Sequence, residues 1–202
     1  MKRFSFILIL VFFPVIMFTS CADTNPWLTS QDLTAFAAED DQTGIRFPDK
    51  LAGVPFQGII DYEQKHPGWG KDYKYSKAHV SFDIYIYNAG IEVIPDGIES
   101  NEIYYAFQDS KKDIQLSVKN GEFAAAQLIN EDVITAGAVK LLHAHYRIEW
   151  SKSSGYLHIL MTGFKNQIIK VYYYIFAFSQ GNELFGKFIS EFGNLFKRIP
   201  IV

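Results

Sequence analysis

Three imidazoles and a carboxylate form the chain's strongest chemical grouping. The stretch "HAHYRIE" spaces His143, His145 and Glu149 by even steps. On an extended strand, positions two apart point the same way, so all three share one face. A hairpin loop at Ser153-Ser154 brings Glu149 opposite His158 and adds a third imidazole to that face. Two or three imidazoles with one carboxylate make a borderline donor set suited to Zn, Fe, Ni or Cu. The other reading is a solvated strand face on which the histidines, Arg147 and Glu149 hold nothing. A slip of one residue in the pairing also moves His158 to the opposite face.

Two further groupings carry chemistry. In "DYEQKHPGWG", Asp61 and Glu63 stand one residue apart near His66. On a strand they share a face, where they can act as an acid/base pair or hold a cation. The alternative is a solvated strand end leading into the Pro-Gly turn. In "VYYYIF", Tyr172 and Tyr174 join Tyr85 and Tyr87 of "FDIYIY" as a potential aromatic platform for a sugar, lipid or peptide. Tyrosine is also an ordinary strand residue, so this pattern has a purely structural reading too. No Gly-x-Ser-x-Gly elbow, phosphate loop, dinucleotide fingerprint, His-Glu-x-x-His or paired-cysteine zinc spacing is present. No catalytic residue and no cofactor is assigned. A triad assembled only in space stays open.

The stretch from Gly137 resembles the first cupin motif: Gly, five residues, His-x-His, three residues and Glu, followed by Gly155. That resemblance implies a metal held by His143, His145 and Glu149. The second cupin motif, Pro-x-Gly followed by His and Asn, has no counterpart, because no proline lies between Pro95 and Pro200. A broader resemblance spans roughly residues 48–180. "DYE", "PGWG" and "IPDG" are similar to the turn signatures of a group of uncharacterised secreted bacterial proteins, which implies an envelope domain and no particular activity.

The single cysteine bears on location. The chain opens "MKRFSFILILVFFPVIMFTSCADT": Lys2 and Arg3, an apolar run over 6–18, then small polar residues. That order matches a secretory leader, and the run is too short for the ~20 residues of a membrane span. "FTSC" resembles a bacterial lipobox, with Phe18 and Thr19 departing from its usual Leu and Ala/Ser. The resemblance implies cleavage before Cys21 and lipid transfer to its sulfur, and Ala22 after the cysteine points to the outer membrane. An ordinary leader cut after Ala22, giving a secreted or periplasmic protein, is the alternative. Two or three acyl chains hold a protein on a bilayer far more firmly than one.

Composition narrows the partners. The chain has 19 Lys and Arg against 22 Asp and Glu, and loss of residues 1–20 takes the net charge to about −5. That balance argues against nucleic acid as a partner. A membrane reached through the lipid, and an envelope protein or small ligand, remain.

The elements that must position these groups follow from periodicity. Residues 1–20 read as a signal peptide, 21–50 as a lipidated N-terminus and tether, and 51–202 as a single α+β domain. Within the tether, Thr29 and Asp32 are suited to cap a short helix carrying Leu33, Phe36 and Ala37. "FQGIIDYE", "KDYKY" and "HVSFDIYIY" read as strands. Ser100 caps a helix over about 100–120 with Ile103, Phe107, Ile114 and Val118 on one stripe. "AAAQLINEDVI", "VKLLHAHYRIEW", "YLHILMT" and "IIKVYYYIFAF" continue as strands, the last three an antiparallel meander. "NELFGKFISEFGNLFK" closes the chain as an amphipathic helix over about 181–197. The sum is a twisted antiparallel sheet of about six to seven strands with two packed helices.

Overall fold

The computed structural model describes residues 36–176 and 181–197. The chain divides into two units, Met1–Thr34 and Ala35–Val202, and the described residues belong to the second. The expected leader, Cys21 and the start of the expected tether lie outside the described residues.

The fold is α+β, as the periodicity predicts, with one more strand. Eight strands form one antiparallel sheet: β3 (Lys50–Leu51), β4 (Val54–Asp61), β5 (Lys71–Lys77), β6 (Val80–Tyr87), β7 (Ala125–Ala136), β8 (Val139–Glu149), β9 (Ser154–Phe164) and β10 (Gln167–Ile175). Their order across the sheet is β3-β4-β5-β6-β10-β9-β8-β7. The last strand in sequence therefore lies in the middle, and β7 ends one rim. Helix α1 (Asn101–Lys119) follows β6, and α2 (Gly181–Lys197) follows β10.

Period-two alternation sends side chains to two separate cores. On one face, Ile103, Phe107 and Ile114 of α1 join Tyr146, Leu157 and Ile159 of the sheet. On the other, Phe188, Phe192 and Phe196 of α2 join Phe82, Leu160 and Tyr173. Each helix covers its own face. The α2 side is an aromatic seam, running Tyr75–Phe82 at 4.8 Å, Phe82–Phe188 at 4.8 Å and Phe188–Phe192 at 5.3 Å between ring centroids. Such offset contacts add roughly 0.5–1.5 kcal/mol each beyond the area they bury.

Local signals account for the element ends. The Ser100 side chain accepts the Ile103 amide, and Glu102 occupies the first turn of α1, where the helix dipole favours an anion. Between β9 and β10, Lys165 and Asn166 both have positive φ, the two-residue hairpin geometry that matches strand twist. Asn166 also accepts from the Ile94 amide and donates to the Glu92 carbonyl, which fastens the preceding loop to the hairpin.

The domain begins earlier than the expected boundary at residue 51. Phe36 and Ala37 lie in β1 (Phe36–Glu39), not in a helix, and β1 pairs with β2 (Arg46–Pro48). Ile45 and Phe47 are fully buried, and Phe47 stacks on Tyr73 at 3.9 Å. Residues 36–50 thus belong to the domain, because two large apolar side chains find a core to fill.

The two interior glycines of α2 are not equivalent. A Cβ on Gly186 meets nothing within 4 Å, whereas one on Gly193 falls 2.4 Å from the Ala136 carbonyl carbon. Gly193 lets the helix backbone touch the β7–β8 turn. Substitution of Gly186 by Ala should raise unfolding free energy by up to about 1 kcal/mol, the usual propensity gain. Substitution of Gly193 by Ala should lower it despite the same gain. Urea titration of both variants reads the signs, and a stabilising Gly193→Ala rules out this packing.

Candidate functional site

Strand register brings a polar cluster together on the α1 face. Asp72, Tyr85 and Lys170 stand in one row across β5, β6 and β10, and Lys74, Asp83 and Tyr172 form the next row. Lys170 is 5% exposed. Its Nζ lies 4.8 Å from the Tyr172 ring centroid, 4.9 Å from Tyr85 and 5.3 Å from Tyr87. Three electron-rich ring faces around one ammonium stabilise its charge out of water. Burial still pushes the Lys170 amine down to about 8, against the pull of Asp113 on α1 and of Asp72. Burial likewise pushes the Asp113 carboxyl up to about 6, with Lys170 opposing.

Asp72 is the most constrained member. It is fully buried, and neither carboxyl oxygen accepts a hydrogen bond. Lys74 Nζ lies 3.0 Å from Asp72 Oδ2, within ion-pairing distance but outside hydrogen-bond direction, and donates to Asp83 Oδ1 at 3.0 Å. Burial, then repulsion from Asp83, pushes the Asp72 carboxyl up to about 7, against Lys74. Burial disfavours charge on Lys74 too, but the two carboxylates outweigh it and hold the ammonium above its usual range. The phenols of Tyr85, Tyr87, Tyr172 and Tyr174 are raised chiefly by burial and stay neutral.

The four tyrosines of the predicted platform therefore do gather on one face. Tyr85 and Tyr172 are buried rather than presented, so the group encloses Lys170 and is no open stacking surface. Sequence reasoning missed Lys170, Asp72, Lys74, Asp83 and Asp113. The available signal was a lysine inside the apolar run "IIKVYYY", sharing parity with Tyr172 and Tyr174. A lysine of lowered pKa beside a carboxyl is a chemically competent pair. Here three rings cover the amine.

The histidines occupy the α2 face. His143 and His158 are buried, and His145 lies directly opposite His158 in the β8–β9 register. His143 Nδ1 is 2.7 Å from Asp132 Oδ1, and His143 Nε2 is 3.0 Å from His158 Nδ1. A His143 tautomer that donates from Nδ1 to the carboxylate leaves Nε2 as the acceptor for an Nδ1–H of His158. His145 stacks on His158 at 4.2 Å and Phe185 of α2 stacks on His158 at 3.8 Å. Burial, followed by the two neighbouring imidazoles, pushes His158 down to about 2. Burial, then His143, lowers His145 as well.

The expected metal donor set does not assemble. Glu149 pairs with Ser154, not His158, because the turn occupies 150–153 rather than Ser153-Ser154. Its carboxylate is half exposed, 3.9 Å from Arg147. The rings of His143, His145 and His158 lie within 15° of parallel, so their in-plane lone pairs do not converge on one point. Among the described residues, no group of three His, Cys, Asp or Glu side chains is placed to hold a metal ion.

Asp61 and Glu63 also part company. β4 ends at Asp61, so Glu63 lies beyond the strand. Its carboxylate accepts the Gly68 and Gly70 amides, both at 2.9 Å, and Asp61 accepts the Glu63 amide at 3.0 Å. Both carboxylates close the turn, where His66 stacks on Trp69 at 4.2 Å. Neither faces the other as acid and base.

One cavity of about 230 Å³ lies between α1 and the outermost strand, lined by Tyr104, Phe107, Gln108, Glu131, Val133 and Leu142 among others. Its mouth is apolar, and Lys111 of α1 reaches Glu131 at 2.6 Å.

No protein-family profile matches the chain, and no curated protein matches it. Among solved structures, the chain is similar to the solution structure of a cyanobacterial PsbP (CyanoP) from Synechocystis sp. PCC 6803. The TM-score is 0.47 at 11% identity, with 80% of this chain and 91% of that one covered. At that level of likeness, neither ligand nor role carries over.

The two polar clusters give stability opposite pH dependences. The Asp72 value is raised in the folded state, so the stabilisation it gives is complete below the ordinary 3.8 and is lost as pH rises towards 7. The His158 value is depressed, so its contribution is present above the ordinary 6.5 and is lost as pH falls towards 2. Asp72→Asn should therefore gain on the unsubstituted protein in urea titrations at pH 8 compared with pH 4. His158→Phe, whatever its cost at pH 8, should flatten the loss below pH 6.5. Parallel pH profiles for variant and parent would remove either group as the cause.

Proposed function

We propose that this chain is a lipid-anchored protein of the bacterial cell envelope, held through Cys21 on the outer membrane facing the periplasm, whose α+β domain binds a partner and is not an enzyme. The anchor rests on the order of basic start, apolar run and "FTSC". Among the described residues, no helix is long and apolar enough to cross a membrane.

The observation that carries the binding role is where exposed apolar side chains collect. Leu128, Ile129 and Val133 of β7 are 44%, 51% and 51% exposed, beside the equally exposed Tyr104 of α1. A patch that exposes this much apolar surface around a cavity is a recognition feature rather than a core. Several of the ionisable groups that chemistry would need are by contrast already engaged within the domain. Glu63 closes a turn, His143 and His158 bond to each other, and Lys170 is enclosed by rings.

Cys21→Ser should move the protein from the membrane fraction to the soluble fraction, and mass spectrometry of the parent should show diacylglycerol on a chain beginning at Cys21. Detergent-extracted parent should also retain an envelope protein or small ligand at near-stoichiometric level. An unmodified mature mass beginning at Asp23 would falsify the anchor, and turnover of a substrate dependent on Lys170 would replace the binding role.

A further inference from the structure

We infer that β7 is a docking edge for an extended segment of another protein, one that alternates apolar residues with lysine or arginine and adds to the sheet as a ninth strand. This deepens the binding role proposed above and rests on it.

The edge is long and open. β7 has 12 residues, ends the sheet, and pairs only with β8 among the described residues. An edge strand leaves alternate amides and carbonyls pointing outward, ready to pair with an added chain. Proteins usually blunt such edges with lysine, proline or a short strand. β7 has no lysine or proline and is not short; like β4 it carries one register shift, between Leu128 and Asn130, and the run from Asn130 to Ala136 beyond it pairs with β8 without a break. The opposite rim differs: β3 covers the start of β4, and β4 is itself bulged between Phe56 and Gly58.

A cavity borders the edge on the α1 side, where Glu131 and Val133 line it. The register places Leu128, Glu131 and Val133 opposite Tyr146, Ala144 and Leu142, which face α1. Their neighbour across the cavity is Tyr104. An incoming strand would lay alternate apolar side chains over Leu128, Val133 and the cavity mouth.

Charge selects the occupant. Glu131 and Asp132 are the only charged residues of β7, and their side chains are 39% and 44% exposed. Lys111 offsets one of them, which leaves the middle of the edge acidic. A second copy of this chain pairing antiparallel about Glu131 or Asp132 would set that carboxylate against its own image, and like charges across a strand pair are destabilising. A strand that lays its apolar residues on the α1 side turns its alternate residues to the other face, where a lysine or arginine meets Asp132, still 44% exposed beside His143.

The test uses the full lipidated chain in detergent with a fluorescent ten-residue peptide alternating valine and lysine. Anisotropy should show saturable binding that the valine–glutamate peptide lacks, and hydrogen exchange should slow selectively across 125–136. Val133→Lys, an exposed change that should leave the thermal melt in place, should weaken binding about tenfold or more. Ile59→Lys, exposed at the other rim, should bind like the parent. Equal binding of the acidic peptide, absence of binding, or concentration-dependent dimerisation that protects β7 would each overturn the docking edge. Protection elsewhere on the domain would overturn it too, while leaving the broader binding role intact. Loss of that role would show separately, as absence of any retained partner in the extraction experiment.

Discussion

β10 is buried on both faces, and the parity of its residues constrains everything around it. Its odd positions, Ile169, Val171, Tyr173 and Ile175, feed the α2 core, while Ile168 and Tyr172 feed the α1 core. A one-residue slip would exchange the two sets, placing Lys170 in the aromatic seam under α2. Every neighbouring strand inherits this assignment through the ladder, since β6 and β9 pair with β10 along nearly its whole length. The apolar cost of the wrong register is what fixes which charged groups can meet.

Given that register, a charge in the middle of the sheet must be compensated locally. The α1 face does so with ring faces for Lys170 and one shared ammonium for Asp72 and Asp83. The compensation is incomplete at Asp72, whose oxygens lack hydrogen bonds. A buried carboxylate in that position shifts towards its neutral form rather than bear the full desolvation penalty. On the α2 face the solution is opposite: burial disfavours charge on His145 and His158, and the imidazoles stack and bond to one another beneath Phe185. One sheet thus handles buried polarity by pairing charges on one side and by suppressing them on the other.

The fold was largely legible in the sequence because alternation and capping are local. "HVSFDIYIY", the Ser100 cap and the Phe stripe of α2 each announce themselves within a few residues. The sites were less so, because they depend on loop length and strand order. One turn of four residues instead of two moved Glu149 away from His158 and put His145 there. The juxtaposition of Lys170 with Tyr85 and Asp72 requires β10 to insert beside β6, a pairing that no local pattern encodes. Ile45 and Phe47 misled for a related reason: their neighbours are acidic and turn-forming, and only the tertiary core shows that they are needed.

The strand order also acts as a ruler. The chain enters the described domain through β1 and β2, whose Phe47 packs on Tyr73 of β5 near one margin, and β7 forms the other margin. At about 4.8 Å per strand spacing, the eight-stranded width from β3 to β7 is roughly 30 Å or slightly more. A leash attached at the near margin and a visitor seated at the far one would not compete for space. The two margins are also joined by α2, where Glu191 accepts the Ala52 amide and Gly193 touches Ala136, so tension on the leash would reach the visitor through the helix as well as through the ladder.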